Sequence, residues 1–265
     1  MNKYLKSLIL VSILAVLVIT AACGAVPVEE VPAATAAPTA APTPTPEPTP
    51  PPTPVPTDAP GRAAALGLPT PPDIDITSWE YKFCNYYVTS PEYNYELGEN
   101  FTYCEGQGID KRVEEQLEGF LKAARDAGYR IYIAAGVRNY DWLKTHYTEK
   151  AYEVGTGEEA AKIFLPPGCN EHQLGLAVDI TENGLYVANF NPIHDPDIEN
   201  SDAFKWACEH CAEFGFIRRY PEGKEEYYGY TGGCTGHFRY VGVEAATYIM
   251  ENNLCLEEFL ALYTG

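Results

Sequence analysis

The chain has 265 residues, 46% of them hydrophobic, and a formal net charge of −19. That composition is enough for a globular core. The acidic balance argues against a nucleic-acid partner, because phosphates would be repelled.

Met1 to Ala22 carries Lys3 and Lys6, then an apolar run from Leu8 to Ile19, then small residues before Cys23. This reads as a secretory signal peptide over 1–22. The apolar run is short for a bilayer span. A Cys directly after Ala-Ala resembles a bacterial lipoprotein box, which implies that Cys23 is lipidated and anchors the chain outside the cytoplasm at the cell membrane. Ordinary secretion and an uncleaved anchor are the alternatives. From Val26 to about Pro60 the chain is rich in Pro, Ala and Thr. Such a stretch cannot bury a core and favours extended polyproline II. The expected organisation is a signal peptide at 1–22, a lipid-anchored stalk at 23–73 and one domain at 74–265.

Asp73 to Thr102 is Tyr-rich without clear periodicity and is expected at a rim or lid. Cys84 and Cys104 are expected to pair, given an oxidising compartment. Asp110 opens a helix with Val113, Leu117, Phe120, Leu121 and Ala124 on one face, ended by Gly128. Tyr129 to Ala135 reads as a strand, followed by Arg138. Asn139 caps a helix to about Tyr152; His146 within it reads as a packing or surface residue. A short helix follows from Glu158 to Phe164.

The stretch from Pro167 to Ile180 then places His172 and Asp179 seven residues apart. Leu176, Val178 and Ile180 alternate with Ala177 and Asp179, so the first set faces the core and Asp179 faces away. His172, an odd number of residues earlier, belongs in the turn before the strand, where Gly175 lets the chain bend. Thr181 to Glu199 reads as a polar loop, including His194-Asp-Pro-Asp197. Ser201 to Gly215 reads as a helix; Cys208 and Cys211 within it have no second CxxC partner and read as buried or separately paired. A strand at Phe216 to Arg219 and a turn at Pro221 to Lys224 lead to His237-Phe-Arg-Tyr-Val-Gly242. There His237 and Arg239 share one face. Helices from Val243 to Glu251 and from Leu256 to Tyr263 close the chain. Two imidazoles and one carboxylate from His172, Asp179 and His237 form a set that suits catalytic zinc.

Glu171-His-Gln-Leu-Gly-Leu-Ala-Val-Asp179 resembles the zinc motif of the VanY-type D-alanyl-D-alanine carboxypeptidases, zinc peptidases of the lysostaphin, D-Ala-D-Ala peptidase and hedgehog superfamily. His237-Phe-Arg-Tyr-Val-Gly242 resembles their second motif, and Arg219-Tyr-Pro-Glu-Gly-Lys224 is also typical. The resemblance covers roughly residues 110 to 260. It implies an α+β fold in which helices pack a small antiparallel sheet carrying zinc. It implies His172, Asp179 and His237 as ligands, Arg138 as the holder of the substrate's C-terminal carboxylate, and peptidoglycan stem peptides ending in D-Ala-D-Ala as substrate.

The chain departs from the family at three places. The family's Glu-Pro-Trp-His reads Cys234-Thr235-Gly236-His237, so Cys234 stands where the catalytic Glu is expected. Asn170 replaces a Ser, and Leu143 replaces the Gln of Arg-Ser-Tyr-x-x-Gln. Three readings of Cys234 follow. It pairs with Cys169, and a carboxylate such as Glu225 or Glu226 serves as base. It binds zinc as a thiolate and closes the site. Or the site is open and inert, and the protein is a catalytically impaired lipoprotein that binds the cell wall.

Overall fold

The computed structural model describes residues 58–89, 100–182, 198–231 and 236–264. The leader, Cys23, most of the proline-rich stretch, His194 and Cys234 lie outside the described residues.

The first helix, α1 (Ala59–Ala65), is capped by the Asp58 carboxylate, which accepts from Gly61 N–H at 2.7 Å. A hairpin follows, β1 (Phe101–Cys104) and β2 (Gln107–Asp110). The Asp110 side chain caps a 3-10 turn that runs into α2 (Glu114–Asp126). Then come β3 (Tyr132–Ala135), α3 (Tyr140–Val154, capped by Asn139) and α4 (Gly157–Ile163). A 3-10 turn over Glu171–Leu174 enters β4 (Ala177–Thr181). The remaining elements are α5 (Asp202–His210), β5 (Phe216–Arg218), α6 (Glu225–Tyr228), β6 (His237–Tyr240), α7 (Val243–Glu251) and α8 (Leu256–Ala261).

Four strands form one antiparallel sheet in the order β3-β4-β6-β5. The fold is α+β. Val178, Ile180, Phe238, Tyr240, Phe216 and Ile133 lie in one buried cluster with Leu117, Phe120, Leu121 and Ala124 of α2 and Phe204 and Ala207 of α5. Strand alternation therefore sends Asp179, His237 and Arg239 to the opposite face. Toward β5 that face meets α7 and α8, where Ile217, Ala245, Ile249 and Phe259 pack together. In between, the sheet centre is charged.

Three expectations need correction. The domain starts before residue 74: Ala63 is buried with α7 and α8, and the Tyr248 and Tyr263 hydroxyls donate to the carbonyls of Pro69 (2.8 Å) and Pro72 (2.7 Å). Proline-rich chain here has outward-facing carbonyls that tyrosines bind, so composition alone misplaced the boundary. Residues 79–85 are not a loose rim, since Tyr81 and Cys84 are buried and Trp79 stacks on Tyr240. Cys84 and Cys104 are separate thiols. Their charged surroundings differ: Cys84 lies near Glu171, Arg239 and Arg219, and Cys104 near Glu105, Glu118 and Glu114. Burial raises both thiols. Cys208 is likewise pushed up by burial, to about 11, and Cys211 donates to the Cys208 carbonyl at 3.7 Å.

Candidate metal centre

Antiparallel pairing of β4 with β6 sets Asp179 opposite His237. Directly opposed side chains on one sheet face stand about 5 Å apart at Cβ, so register alone brings these two together. His172 comes from the 3-10 turn before β4. The Asn170 side chain accepts from His172 N–H at 3.1 Å, and Gly175, with φ of 71°, reverses the chain into the strand.

The first imidazole is fixed by its Nδ1, which lies 2.7 Å from the Gly136 carbonyl. Gly136 is needed there, because a Cβ would sit 2.1 Å from the Gly108 carbonyl oxygen. With Nδ1 donating, Nε2 carries the lone pair. It is buried without a hydrogen bond, 3.2 Å from Asp179 Oδ2. His237 Nδ1 lies 2.8 Å from Asp179 Oδ1, and its Nε2 lies 2.9 Å from Glu171 Oε1. The two rings meet edge to face, 4.8 Å between centroids. One ligand atom from each of His172, Asp179 and His237 falls within 4.8 Å of the others. Donors around a tetrahedral zinc stand about 3.4 Å apart, so modest side-chain shifts would bring the trio onto three corners of such a site. The lone pair on His172 Nε2 and the bridging carboxylate are the donors that such an ion takes.

Protonation follows the same geometry. Burial, and then the Arg138 charge, push His172 down to about 4, so it is neutral at neutral pH, as a ligand must be. Burial opposes the charge on Asp179, but the permanently charged Arg138 guanidinium at 2.7 Å favours it, and the carboxyl is held well below its usual range. Burial also opposes ionisation of Glu171, and the guanidiniums of Arg219 and Arg239 with the His237 hydrogen bond overcome it.

Arg138, expected to hold substrate, stands at the edge of the trio. Its Nη2 donates to Asp179 Oδ2 at 2.7 Å, and its guanidinium lies 5.2 Å from the Trp142 ring centroid. His146 is a packing residue: its ring stacks on Trp142 at 3.8 Å and its Nδ1 lies 2.8 Å from the Trp142 carbonyl. Glu225 accepts from Gly223 N–H at 3.0 Å in its own turn, and Glu226 is exposed. Leu143, in place of the family Gln, is fully buried. Two residues of the site had no role in the sequence reading. Tyr220 lays its ring 5.1 Å from His237, and Glu171 backs the same imidazole. Glu171 sits inside the quoted motif, but its neighbours in sequence give no sign that it points to β6.

The family model for VanY, D-alanyl-D-alanine carboxypeptidase, matches residues 106–243, just over half of the chain. A D-alanyl-D-alanine carboxypeptidase of Enterococcus faecalis is 36% identical over 163 residues, covering 58% of this chain and 56% of that protein. The chain thus spans little more than half the length of that curated relative. Two solved structures share 33% identity and 69% coverage of this chain. One is a vancomycin-resistance D,D-pentapeptidase VanY variant in complex with Zn(II), with a TM-score of 0.57 over 99% of its length. The other is VanYB in complex with D-alanine-D-alanine, with a TM-score of 0.58 over 98% of its length. With the zinc-type trio, the matched motifs and the shared fold together, the chain belongs to the VanY family of D-alanyl-D-alanine carboxypeptidases.

Proposed function

We propose that the protein is a zinc-dependent D,D-carboxypeptidase that removes the terminal D-Ala from peptidoglycan stem peptides. The observation that carries the reading is the buried His172 Nε2 lone pair facing Asp179 and His237. Bound zinc would supply Lewis acidity toward a carbonyl and toward water. The chain's own residues do the rest. His172, Asp179 and His237 hold the ion. Arg138, planar and permanently charged, offers a fork suited to the substrate's terminal carboxylate. Its present bond to Asp179 keeps it at the site and oriented. The family relatives named for D-Ala-D-Ala carboxypeptidase activity, and the D-alanine-D-alanine complex of VanYB, support this substrate class.

Cys234 replaces the family's general base, and loss of such a base costs about 10²–10⁴ in rate. Turnover is therefore expected to be slow. The test is D-Ala release from a stem peptide ending in D-Ala-D-Ala by purified, zinc-loaded protein. Activity should vanish in His172→Ala and with chelator, and Cys234→Glu should raise it by roughly 10²–10⁴-fold. Binding of the peptide with no release, in both wild type and Cys234→Glu, would leave the second reading: a wall-binding module on a peptidase fold. That reading is favoured by Cys234 alone. The leader and Cys23 support export and a lipid anchor, with the proline-rich stretch as a spacer between membrane and domain.

A further inference from the structure

Glu171 is 1% exposed, and both of its oxygens are engaged. Oε1 accepts from His237 Nε2 at 2.9 Å. Oε2 accepts from Arg219 Nε at 2.9 Å and from Arg239 Nη1 at 3.0 Å. Both guanidiniums are fully buried. Arg219 turns its other nitrogens to Glu257 on α8, at 2.9 and 2.7 Å, and Glu257 also accepts from the Asn85 amide at 2.8 Å. Arg239 Nη2 donates to the carbonyls of Glu80 and Lys82. A chain of charge thus runs from a metal-site imidazole to the C-terminal helix and to residues 80–85. Both ends lie outside the matched region 106–243.

Stability alone does not explain this. Replacing a buried ion network with apolar side chains of similar volume is often neutral or stabilising. What an apolar cluster cannot do is accept the Nε2–H of an imidazole. Both ring nitrogens lie beside carboxylates, Nδ1 2.8 Å from Asp179 and Nε2 2.9 Å from Glu171; with a metal taking the Nδ1 lone pair, the ring proton is on Nε2 and directed at Glu171. Partners of this kind fix the tautomer and ring orientation of metal-binding histidines.

We propose that Glu171 is a positioning residue for the metal centre. Its carboxylate sets the His237 ring so that Nδ1 faces the ion, and Glu257 holds that carboxylate in place through Arg219. The proposal rests on the metal reading above. It makes α8 and residues 80–85 part of the working site rather than appendages to it.

The experiment is competition of the full chain against a chromophoric chelator, giving the Zn(II) dissociation constant, alongside melting of the metal-free form. Glu171→Asp keeps the charge and withdraws the oxygens; zinc binding should weaken about 10–100-fold. Glu257→Gln lies two residues further from the ligand, beyond Arg219, and should weaken it less, by about 3–10-fold. A bracing role alone lowers the melting temperature and leaves the zinc constant of the folded protein at the wild-type value. That result in both variants overturns the proposal. If Glu171→Asp does not fold, Glu257→Gln decides. Wild-type protein that takes up no zinc removes the metal reading and the proposal with it.

Discussion

The two faces of the β3-β4-β6-β5 sheet are built by opposite rules. Behind it, Phe120 of α2 lies 5.7–5.8 Å from the rings of Phe214, Phe216 and Phe238, with Trp206 at 6.0 Å. In front, the same strands present Asp179, His237 and Arg239 to Glu171, Arg138 and Arg219. Both faces are buried. The apolar one gains from removing area from water and depends little on direction. The charged one is costly to desolvate and depends on direction, donor set against acceptor. Stability should therefore reside behind the sheet and metal affinity in front of it.

The sharpest test of that division pairs one substitution from each face. Phe120→Ala removes a fully buried ring and should cost about 3–5 kcal/mol by denaturant titration, with an unchanged zinc constant in the folded fraction. His172→Ala should abolish measurable zinc binding while costing less stability than Phe120→Ala. Equal loss of zinc affinity in the two variants would show that the faces are not separable.

A second substitution sits where the faces are joined to the β1-β2 hairpin. In Gly136→Ala the new Cβ meets the Gly108 carbonyl, which also accepts from Val137 N–H at 2.7 Å. Neither backbone can move without shifting the Gly136 carbonyl that holds His172. The expected cost is about 1–3 kcal/mol in stability, and about tenfold in zinc affinity. A stability loss with unchanged zinc affinity would show that His172 does not need its carbonyl partner.

The faces also differ in how far they can be read from sequence. Alternation in Leu176–Ile180 and in His237–Val241 put Asp179 and His237 on the faces where the structure has them, because period two is a local property of strands. Asn139, Asp110 and Gly175 acted as the caps and turn their residue types suggest. What stayed hidden depends on pairing between distant segments. Glu171 meets β6 only because β4 pairs with it, and Arg138 reaches Asp179 across the sheet from β3. The expected pairing of Cys84 with Cys104 rests on compartment, which carries no geometry. Residues 58–73 looked like spacer because proline content reports what a segment cannot form alone, not what tyrosines elsewhere can bind. The family resemblance supplied the proposed ligand set and substrate class, but it had nothing to say about Glu257 or residues 80–85.

The smallest expected effect lies on the rim, where charge pairs are only partly buried. Glu258 on α8 accepts from Cys255 N–H at 2.9 Å and from Lys224 Nζ at 2.6 and 2.7 Å. Burial opposes its charge, but the Lys224 and Cys255 hydrogen bonds outweigh it, so its pKa is lowered. The unfolded chain then binds more protons at this position than the folded one as pH falls below about 4.5, the ordinary glutamate value. The stabilisation is present in full above that value and is lost as pH falls through the lowered folded pKa. Glu258→Gln keeps an acceptor for the helix N-terminus and removes the charge, which should cost about 0.5–1 kcal/mol at pH 7. The gap between wild type and variant should narrow below pH 4.5 and with added salt. A gap that holds constant across both would mean that the acceptor geometry, not the charge, is what this glutamate contributes, and the rim would then follow the same directional rule as the buried charged face.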